Sequence, residues 1–153
     1  MSTQPETTDS SIPAASDSSK QAVSEPGRPV IEIEPIFDAC TSTVTYVVWD
    51  PATRDCVVID PVLDYDPQGS QTSTASIVQV ISFLEKSGLT VRYILETHPH
   101  ADHLSGAQIL RQRFSAPLAI GRGIRAVQGV FKTIFNLGTD FAVDGSQFDR
   151  LLD

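Results

Sequence analysis

Residues 96–106 read ETHPHADHLSG, and this stretch holds all three histidines of the 153-residue chain, His98, His100 and His103. The run before it, VRYILET, is rich in β-branched and aromatic residues and predicts a strand. The run after it carries apolar residues at helical spacing and predicts a helix over 104–114. The histidines therefore lie at a junction between a strand and a helix.

The side chains of this junction suit a metal ion. His98 and His100 are two apart, so an extended backbone directs both imidazoles to one side, and Pro99 favours that geometry because a residue before proline avoids the α region. Asp102 and His103 add a carboxylate and a third imidazole. Taken singly, each histidine would be a surface residue and Asp102 the N-cap of the following helix, a role compatible with metal binding. Together, the four predict a metal site.

Short strands and helices alternate along the rest of the chain. VIEIEPIF alternates as a half-buried strand does, and VTYVVW and CVVID, joined by DPATRD, predict a hairpin. A loop over 61–73, a helix over 74–87, a strand at PLAI and a helix over 122–135 follow. The apolar stripe of the last helix is expected to face the core: Ile124, Val127, Val130, Phe131 and Ile134. This mixture predicts the α/β (α+β) fold class.

Composition limits the kinds of partner. The formal net charge is −8 at pH 7, so phosphate backbones and anionic lipid surfaces repel the protein. We therefore expect no nucleic-acid partner and no membrane association. No apolar run reaches the roughly 18 residues of a membrane span and no secretory signal pattern is visible, so we also expect a cytoplasmic location. Residues 1–28 are rich in Ser, Thr and Pro and predict a disordered tail, whose acidic residues disfavour import into mitochondria, the alternative location. Cys40 and Cys56 are both expected to be reduced and buried.

The sequence THPHADHLSGA resembles the H-x-H-x-D-H signature of the metallo-β-lactamase superfamily. VVIDPVLD resembles the strand and turn beside the metal in that superfamily, with Asp60 at the strand end. Asp60 is then either a cap of the turn or a group that hydrogen-bonds to a metal ligand. The resemblance covers about residues 30–153 and implies an αβ/βα four-layer sandwich, in which two β-sheets pack together between outer helices.

Within the superfamily, IDPVLDYDP and ETHPHADHLSGA are most similar to the persulfide dioxygenase group, which oxidises glutathione persulfide with O2 to sulfite and glutathione at one non-haem Fe(II). The resemblance implies that His98 binds the iron and that His100, Asp102 and His103 lie nearby, orienting ligands and controlling water. The alternative is a thioester hydrolase of the glyoxalase II type. There His98 and His100 hold one metal ion, Zn(II) among the candidates, and Asp102 and His103 hold a second. The implied partner is a small glutathione thiol or persulfide.

Both mechanisms take a further histidine and an aspartate from the second half of the fold. The chain has no histidine after His103, so residues 29–153 are expected to be an incomplete domain, the first half of the sandwich. We expect a truncated gene product, because half of a two-sheet sandwich leaves an apolar sheet face and a strand edge bare. The alternatives are a short protein that borrows a partner chain and one that binds metal without catalysis. An oligomer is compatible with each of these possibilities.

Overall fold

The structure, a computed structural model, describes residues 30–153. The expected tail over 1–28 and the expected domain start at residue 29 lie outside the described residues and stay predictions. Within the described part the chain forms nine strands and three helices. The strands are β1 Glu32–Asp38, β2 Thr43–Trp49, β3 Asp55–Ile59, β4 Val62–Asp66, β5 Gln71–Ser73, β6 Thr90–Glu96, β7 Leu104–Ser105, β8 Leu118–Gly121 and β9 Arg150–Leu152, and the helices are α1 Ala75–Lys86, α2 Ala107–Phe114 and α3 Ile124–Ile134.

Six strands form the main sheet, in the order β1-β2-β3-β6-β8-β9. The strands β1, β2 and β3 are antiparallel neighbours, whereas β3, β6, β8 and β9 run parallel. Parallel neighbours need crossover connections, and α1 lies in the connection from β3 to β6 while α2 lies in that from β6 to β8. The carboxyl ends of β3 and β6 consequently lie side by side at one rim of the sheet.

The core lies on the face of the main sheet that α1 and α2 cover. Along α1, Ile77, Val80 and Leu84 recur at a spacing of three and four residues and are buried. They belong to one cluster with buried strand residues such as Val58 and Ile94. The cluster comprises Val47, Cys56, Val58, Ile77, Val80, Leu84, Leu89, Val91, Ile94, Ala107, Leu110, Ala116 and Leu118. Removal of this apolar surface from water is the main stabilising contribution to the fold.

The opposite face of the main sheet is open over β1 and β2. Side chains alternate between the two faces along a strand, so Tyr46 points away from its buried neighbour Val47 and is 41% exposed. The register places Ile33 and Phe37 of β1 on the same face as Tyr46, and they are 58% and 62% exposed. We call the surface formed by Ile33, Phe37 and Tyr46 the open face. The expected half-sandwich would expose an apolar face of this kind, and the expectation of a truncated product stays a prediction.

A small sheet, in the order β5-β4-β7, changes two of the sequence expectations. The region 61–73, expected to be a loop, contains the antiparallel strands β4 and β5. The helix expected over 104–114 begins at Ala107, because Leu104 and Ser105 pair with β4 as the strand β7. The backbone N–H of Gly106 also donates to the carbonyl oxygen of Pro61 at 2.7 Å. The histidine segment is therefore held by β6 at one end and by β4 at the other.

The apolar stripe of α3 is mostly uncovered, so the expectation that it faces the core was wrong. Ile124 is buried, but Val130 and Ile134 are 55% and 66% exposed. The buried contact of α3 is polar instead, because the side chain of Gln128 accepts a hydrogen bond from the backbone N–H of Gly145 at 3.0 Å. No helix within residues 30–153 has the length and apolar character that a membrane crossing requires.

The two cysteines lie in different surroundings. Cys56 of β3 is buried in the core cluster, as expected. Cys40 is exposed, so the expectation that it is buried was wrong. The reason is local, because Cys40 lies in the turn between β1 and β2, where the Asp38 carboxylate accepts hydrogen bonds from both the backbone N–H and the hydroxyl of Thr41. This turn leaves the Cys40 side chain outside the core.

Candidate metal centre

The candidate centre lies at the rim where the parallel strands β3 and β6 end. Ile59 pairs with Leu95 across these strands, and the backbone N–H of Asp60 donates to the carbonyl oxygen of Leu95 at 2.9 Å. Asp60, directly after β3, therefore lies beside Thr97, directly after β6. The histidine segment leaves the sheet at this point.

The side chains of the histidine segment converge. The ring centroids of His98 and His100 are 4.3 Å apart, and those of His100 and His103 are 4.1 Å apart. One ligand atom each from His98, His100 and Asp102 lies within 4.8 Å of the others. The described residues thus bring together all four members of the predicted metal site, and their binding of a metal stays a prediction.

His103 is the member of the four whose surroundings most need a partner. Its side chain is 1% exposed, and neither ring nitrogen has a hydrogen-bond partner among residues 30–153. The nearest carboxylate oxygen, on Asp102, is 3.5 Å from Nδ1. A buried polar atom left unpaired costs about 1–3 kcal/mol. A cation bound to His103 would remove that cost, so the residue fits the metal that the sequence predicts.

Asp102 faces the imidazoles and does not cap a helix. The N-cap of α2 is Gly106, which makes no side-chain hydrogen bond, so the alternative role of Asp102 as N-cap was wrong. The pKa of Asp102 lies below its usual value, because its own backbone N–H bonds to the carboxylate and because His103 and His100 are close by. The carboxylate therefore stays ionised, as a metal ligand must.

The contacts of Asp60 agree with both of the roles that the sequence left open, and its role beside a metal ligand stays a prediction. Its carboxylate accepts hydrogen bonds from the backbone N–H and the hydroxyl of Thr97, at 2.8 and 2.7 Å, which fixes the turn. Its Oδ1 atom is also 3.0 Å from Nε2 of His100. The backbone of Asp60 has φ of 50°, a left-handed conformation that is costly for a residue other than glycine. The hydroxyl of Thr45 secures this conformation by donating to the Asp60 carbonyl oxygen at 2.9 Å.

Glu96 is a residue of the site that the sequence did not predict. It is 7% exposed, its Oε2 atom is 2.9 Å from Nε2 of His100, and its Oε1 atom accepts a hydrogen bond from the hydroxyl of Ser105. Burial raises the pKa of Glu96, while Ser105 and His100 act in the opposite direction. The signal in the sequence is strand alternation, because Glu96 lies two residues after the buried Ile94 and so faces the same side.

A cavity of about 310 Å³ adjoins the histidines. Its walls combine polar groups of the site with apolar side chains from three separate segments, Leu104, Ile120 and Phe148. Concave sites of this size, mostly apolar with a few polar groups, are typical of small-molecule binding. Imidazole and carboxylate donors suit zinc and iron alike, so the arrangement can hold a metal next to a small substrate.

Comparison with known proteins points to one family. A sequence model described as the metallo-beta-lactamase superfamily matches residues 38–141. The chain is 50% identical over 121 residues to a probable metallo-hydrolase of Burkholderia pseudomallei, covering 79% of this chain and 41% of that protein. It is 42% identical over 122 residues to Glyoxylase B2 of Dictyostelium discoideum, covering 79% and 41%. It is 33% identical over 85 residues to the mitochondrial persulfide dioxygenase ETHE1 of Homo sapiens, covering 56% and 29%.

A solved structure agrees with the fold. The BLEG-1 B3 metallo-beta-lactamase superposes with a TM-score of 0.52 at 21% identity, covering 80% of this chain and 53% of that one. This chain spans 41% of the length of each of the first two relatives. The superfamily is metal-dependent, and the described residues contain a group that could hold a metal ion. The chain belongs to the metallo-beta-lactamase superfamily.

Proposed function

We propose that this chain carries the metal-binding part of a persulfide dioxygenase, which oxidises glutathione persulfide with O2 and water to sulfite and glutathione. The observation that supports this most strongly is the convergence of His98, His100 and Asp102, whose ligand atoms lie within 4.8 Å of one another. Non-haem Fe(II) oxygenases bind the metal through two imidazoles and one carboxylate; in this proposal His98 supplies one imidazole, and the second half of the fold would supply the other imidazole and the carboxylate. The human relative named persulfide dioxygenase agrees with this choice.

The residues of the chain have separate tasks in this proposal. His98 would hold the metal, which when bound as Fe(II) supplies the redox chemistry and open positions for substrate and O2, and His100 and Asp102 lie within reach of the same ion. Asp60 and Glu96 hydrogen-bond to the far side of the His100 ring and fix its orientation. The apolar walls of the cavity beside the histidines exclude bulk water from the substrate sulfur.

The partner proposed for this cavity is a small glutathione thiol or persulfide. A volume of about 310 Å³ accommodates the reacting end of such a molecule and not a macromolecule. The net charge of −8 argues against nucleic acid and anionic membranes as partners. The activity itself belongs, in this proposal, to a protein longer than the part that matches the relatives.

A thioester hydrolase is the second candidate, and one observation favours it. Asp102 Oδ1 lies 3.5 Å from Nδ1 of His103, whose ring nitrogens have no hydrogen-bond partner in the described part of the chain, so these two side chains could hold a second ion beside the first. A dinuclear site of that kind activates a bridging hydroxide for attack on a carbonyl carbon. The names metallo-hydrolase and Glyoxylase B2 among the relatives agree with this alternative.

Two assays of the gene product that carries residues 30–153 separate the candidates. Oxygen uptake and sulfite release with glutathione persulfide, dependent on Fe(II), support the dioxygenase. Release of glutathione from S-lactoylglutathione without oxygen uptake, dependent on Zn(II), supports the hydrolase and contradicts the dioxygenase. A protein that binds metal and shows neither activity overturns both in favour of a non-catalytic metal-binding protein.

The metal site has its own test. We expect His98→Ala to lose bound iron, because it removes one of the two imidazoles of the donor set. Metal content after reconstitution and desalting measures this directly. If the His98→Ala protein retains as much iron as the wild type, the assignment of His98 as a ligand is wrong.

A further inference from the structure

We propose that two hydrogen-bond networks, one through Thr97 and one through Glu96, set the tautomers of His98 and His100 so that both rings present a lone pair to the same cation. The proposal rests on the metal site of the proposed function and not on the identity of the reaction. A neutral imidazole carries its proton on one nitrogen and a lone pair on the other. It can bind a metal only when the proton lies on the nitrogen that faces away from the metal.

The first network begins at Asp60 and ends at His98. The Asp60 carboxylate can only accept hydrogen bonds, so the single hydroxyl proton of Thr97 points to Asp60 Oδ2 at 2.7 Å. The Thr97 oxygen is also 2.8 Å from Nδ1 of His98. Because its proton is already engaged, this oxygen can only accept from His98. The proton of His98 therefore lies on Nδ1, and Nε2 keeps the lone pair for a metal.

The second network fixes His100 with the opposite tautomer. Its Nε2 atom is 2.9 Å from Glu96 Oε2 and 3.0 Å from Asp60 Oδ1. The Asp60 carboxylate can only accept hydrogen bonds, so the proton of His100 lies on Nε2, where it also faces Glu96, and Nδ1 keeps the lone pair. Ser105 holds Glu96 in place from the other side by donating to Oε1. The free Nδ1 of His100 lies on the side of Asp102, 3.8 Å from its Oδ1 atom.

Asp60 belongs to both networks, which makes Asp60→Asn the informative variant. The asparagine oxygen would stay opposite the donors at the Oδ1 position, namely the Thr97 backbone N–H and His100 Nε2. Its NH2 group would then face the Thr97 hydroxyl and donate to it. Thr97 would have to turn its own proton toward Nδ1 of His98, which moves the His98 proton to Nε2, the nitrogen that a metal needs. A change of one atom thus produces the wrong tautomer in a ring that Asp60 does not touch.

The experiment records the ring nitrogens of the metal-free protein by long-range ¹H–¹⁵N NMR at about pH 8, where unperturbed imidazoles are neutral. In the wild type we expect the His98 proton on Nδ1 and the His100 proton on Nε2. In Asp60→Asn we expect the His98 proton on Nε2 and the His100 proton unchanged, so His100 serves as an internal control. Zn(II) affinity, measured by competition with a chelator, should fall about 10–100-fold.

Three further variants separate this positioning role from a general loss of structure. Asp140→Asn removes the same charge at an exposed loop position and should leave both tautomers and the Zn(II) affinity unchanged. Thr97→Val removes the hydroxyl with little change of shape, so His98 should lose its single tautomer. Thr97→Ser keeps a hydroxyl at the same atom and should restore the tautomer.

Two outcomes overturn the proposal: a wild-type His98 that carries its proton on Nε2, or an Asp60→Asn protein with the wild-type tautomer at His98. The first is read from the wild type alone, so the proposal can fail even if a variant does not fold. Absence of both enzymatic activities with the expected tautomers would overturn the proposed function and leave this inference standing.

Discussion

The two faces of the main sheet are built from alternate residues of the same strands, yet only one of them forms a core. Val47 and Val58 on the helix-covered face are fully buried, whereas Tyr46, the neighbour of Val47, is 41% exposed. Apolar side chains occupy both faces, so the difference comes from the layer above each face and not from the strands. The stability of these residues as a folded unit is therefore concentrated on the face that α1 and α2 cover.

The difference between the two faces would be contradicted most clearly if a core side chain of the covered face could be truncated with little loss in the free energy of unfolding. Leu84 of α1 is fully buried, so we expect Leu84→Ala to lower the free energy of unfolding by about 2–5 kcal/mol. Equilibrium urea denaturation of the metal-free protein measures this. Val78→Ala, on the same helix but 54% exposed, is the matched control and should change the value by less than about 0.5 kcal/mol. Equal effects of the two substitutions would contradict the comparison.

A smaller loss of stability is expected for a substitution where the covered face meets the histidine segment. A Cβ atom at Gly106 would lie 2.1 Å from Cδ1 of the buried Ile77 and 3.0 Å from the Val62 carbonyl oxygen. We expect Gly106→Ala to lower the free energy of unfolding by about 1–3 kcal/mol, because the packed core cannot yield to both contacts.

Gly129→Ala in α3 is the control for that substitution, because among residues 30–153 nothing outside the adjoining backbone lies within 4 Å of its Cβ position. Alanine is the better helix former, so this variant should be more stable by about 0.5–1 kcal/mol. The two substitutions should change the free energy of unfolding in opposite directions, which urea denaturation measures. A stabilising Gly106→Ala would show that the packing at Ile77 is loose.

The covered face also predicts a dependence of stability on pH. Burial, with a smaller contribution from Asp55, raises the pKa of the Cys56 thiol from 9.0 to about 11. In the unfolded chain this thiol ionises at the lower value, so the folded state binds the extra proton between the two values. The free energy of unfolding should therefore fall as pH rises from 9.0 to about 11.

Cys56→Ala removes this contribution and should give a shallower slope over the same pH range, whereas Cys40→Ala, at an exposed position, should keep the wild-type slope. Unfolding curves recorded at several pH values across the range provide both slopes. Identical slopes for the wild type and Cys56→Ala would show that this thiol is accessible to water.

The smallest effect on stability is expected on the open face. Ile33 and Phe37 are more than half exposed, so we expect threonine at both positions to change the free energy of unfolding by less than about 0.5 kcal/mol. The same double variant should associate less strongly with itself, because it removes apolar surface from an exposed patch. Sedimentation velocity measures the association. A loss above about 2 kcal/mol would show that this face is already covered and would reverse the comparison.

The elements of the fold could be predicted where one local pattern decides the outcome. The local pattern that predicted a helix over 74–87 was enough to identify α1, which spans Ala75–Lys86. The surroundings of α3 could not be predicted, because a helical apolar stripe does not reveal whether another layer lies against it. The strands β4 and β7 were missed since their pairing joins Val62–Leu63 to Leu104–Ser105 across a long stretch of sequence.

The features of the candidate site also divide into those that local sequence predicts and those that depend on distant contacts. The convergence of His98, His100 and Asp102 could be predicted because the three residues are close in sequence and Pro99 restricts the backbone between them. Their metal binding stays a prediction. The contacts of Glu96 with His100 and Ser105 could not be predicted, because the sequence does not give the path of the chain between these residues. The parallel pairing of β3 with β6, which brings Asp60 to the same rim, depends on the whole crossover.

That parallel pairing has a consequence for assembly of the centre. The imidazoles and Asp102 are near neighbours along the chain, so the unfolded polypeptide can bind metal ions through them as well. Binding to the unfolded state reduces the stabilisation that the metal gives to the folded state. Asp60 is held next to His100 by the parallel pairing of β3 with β6, two strands that α1 separates along the chain, and non-local pairing of this kind is expected to form slowly. Tight metal binding is therefore expected late in folding. The rate at which it appears would report when β3 pairs with β6.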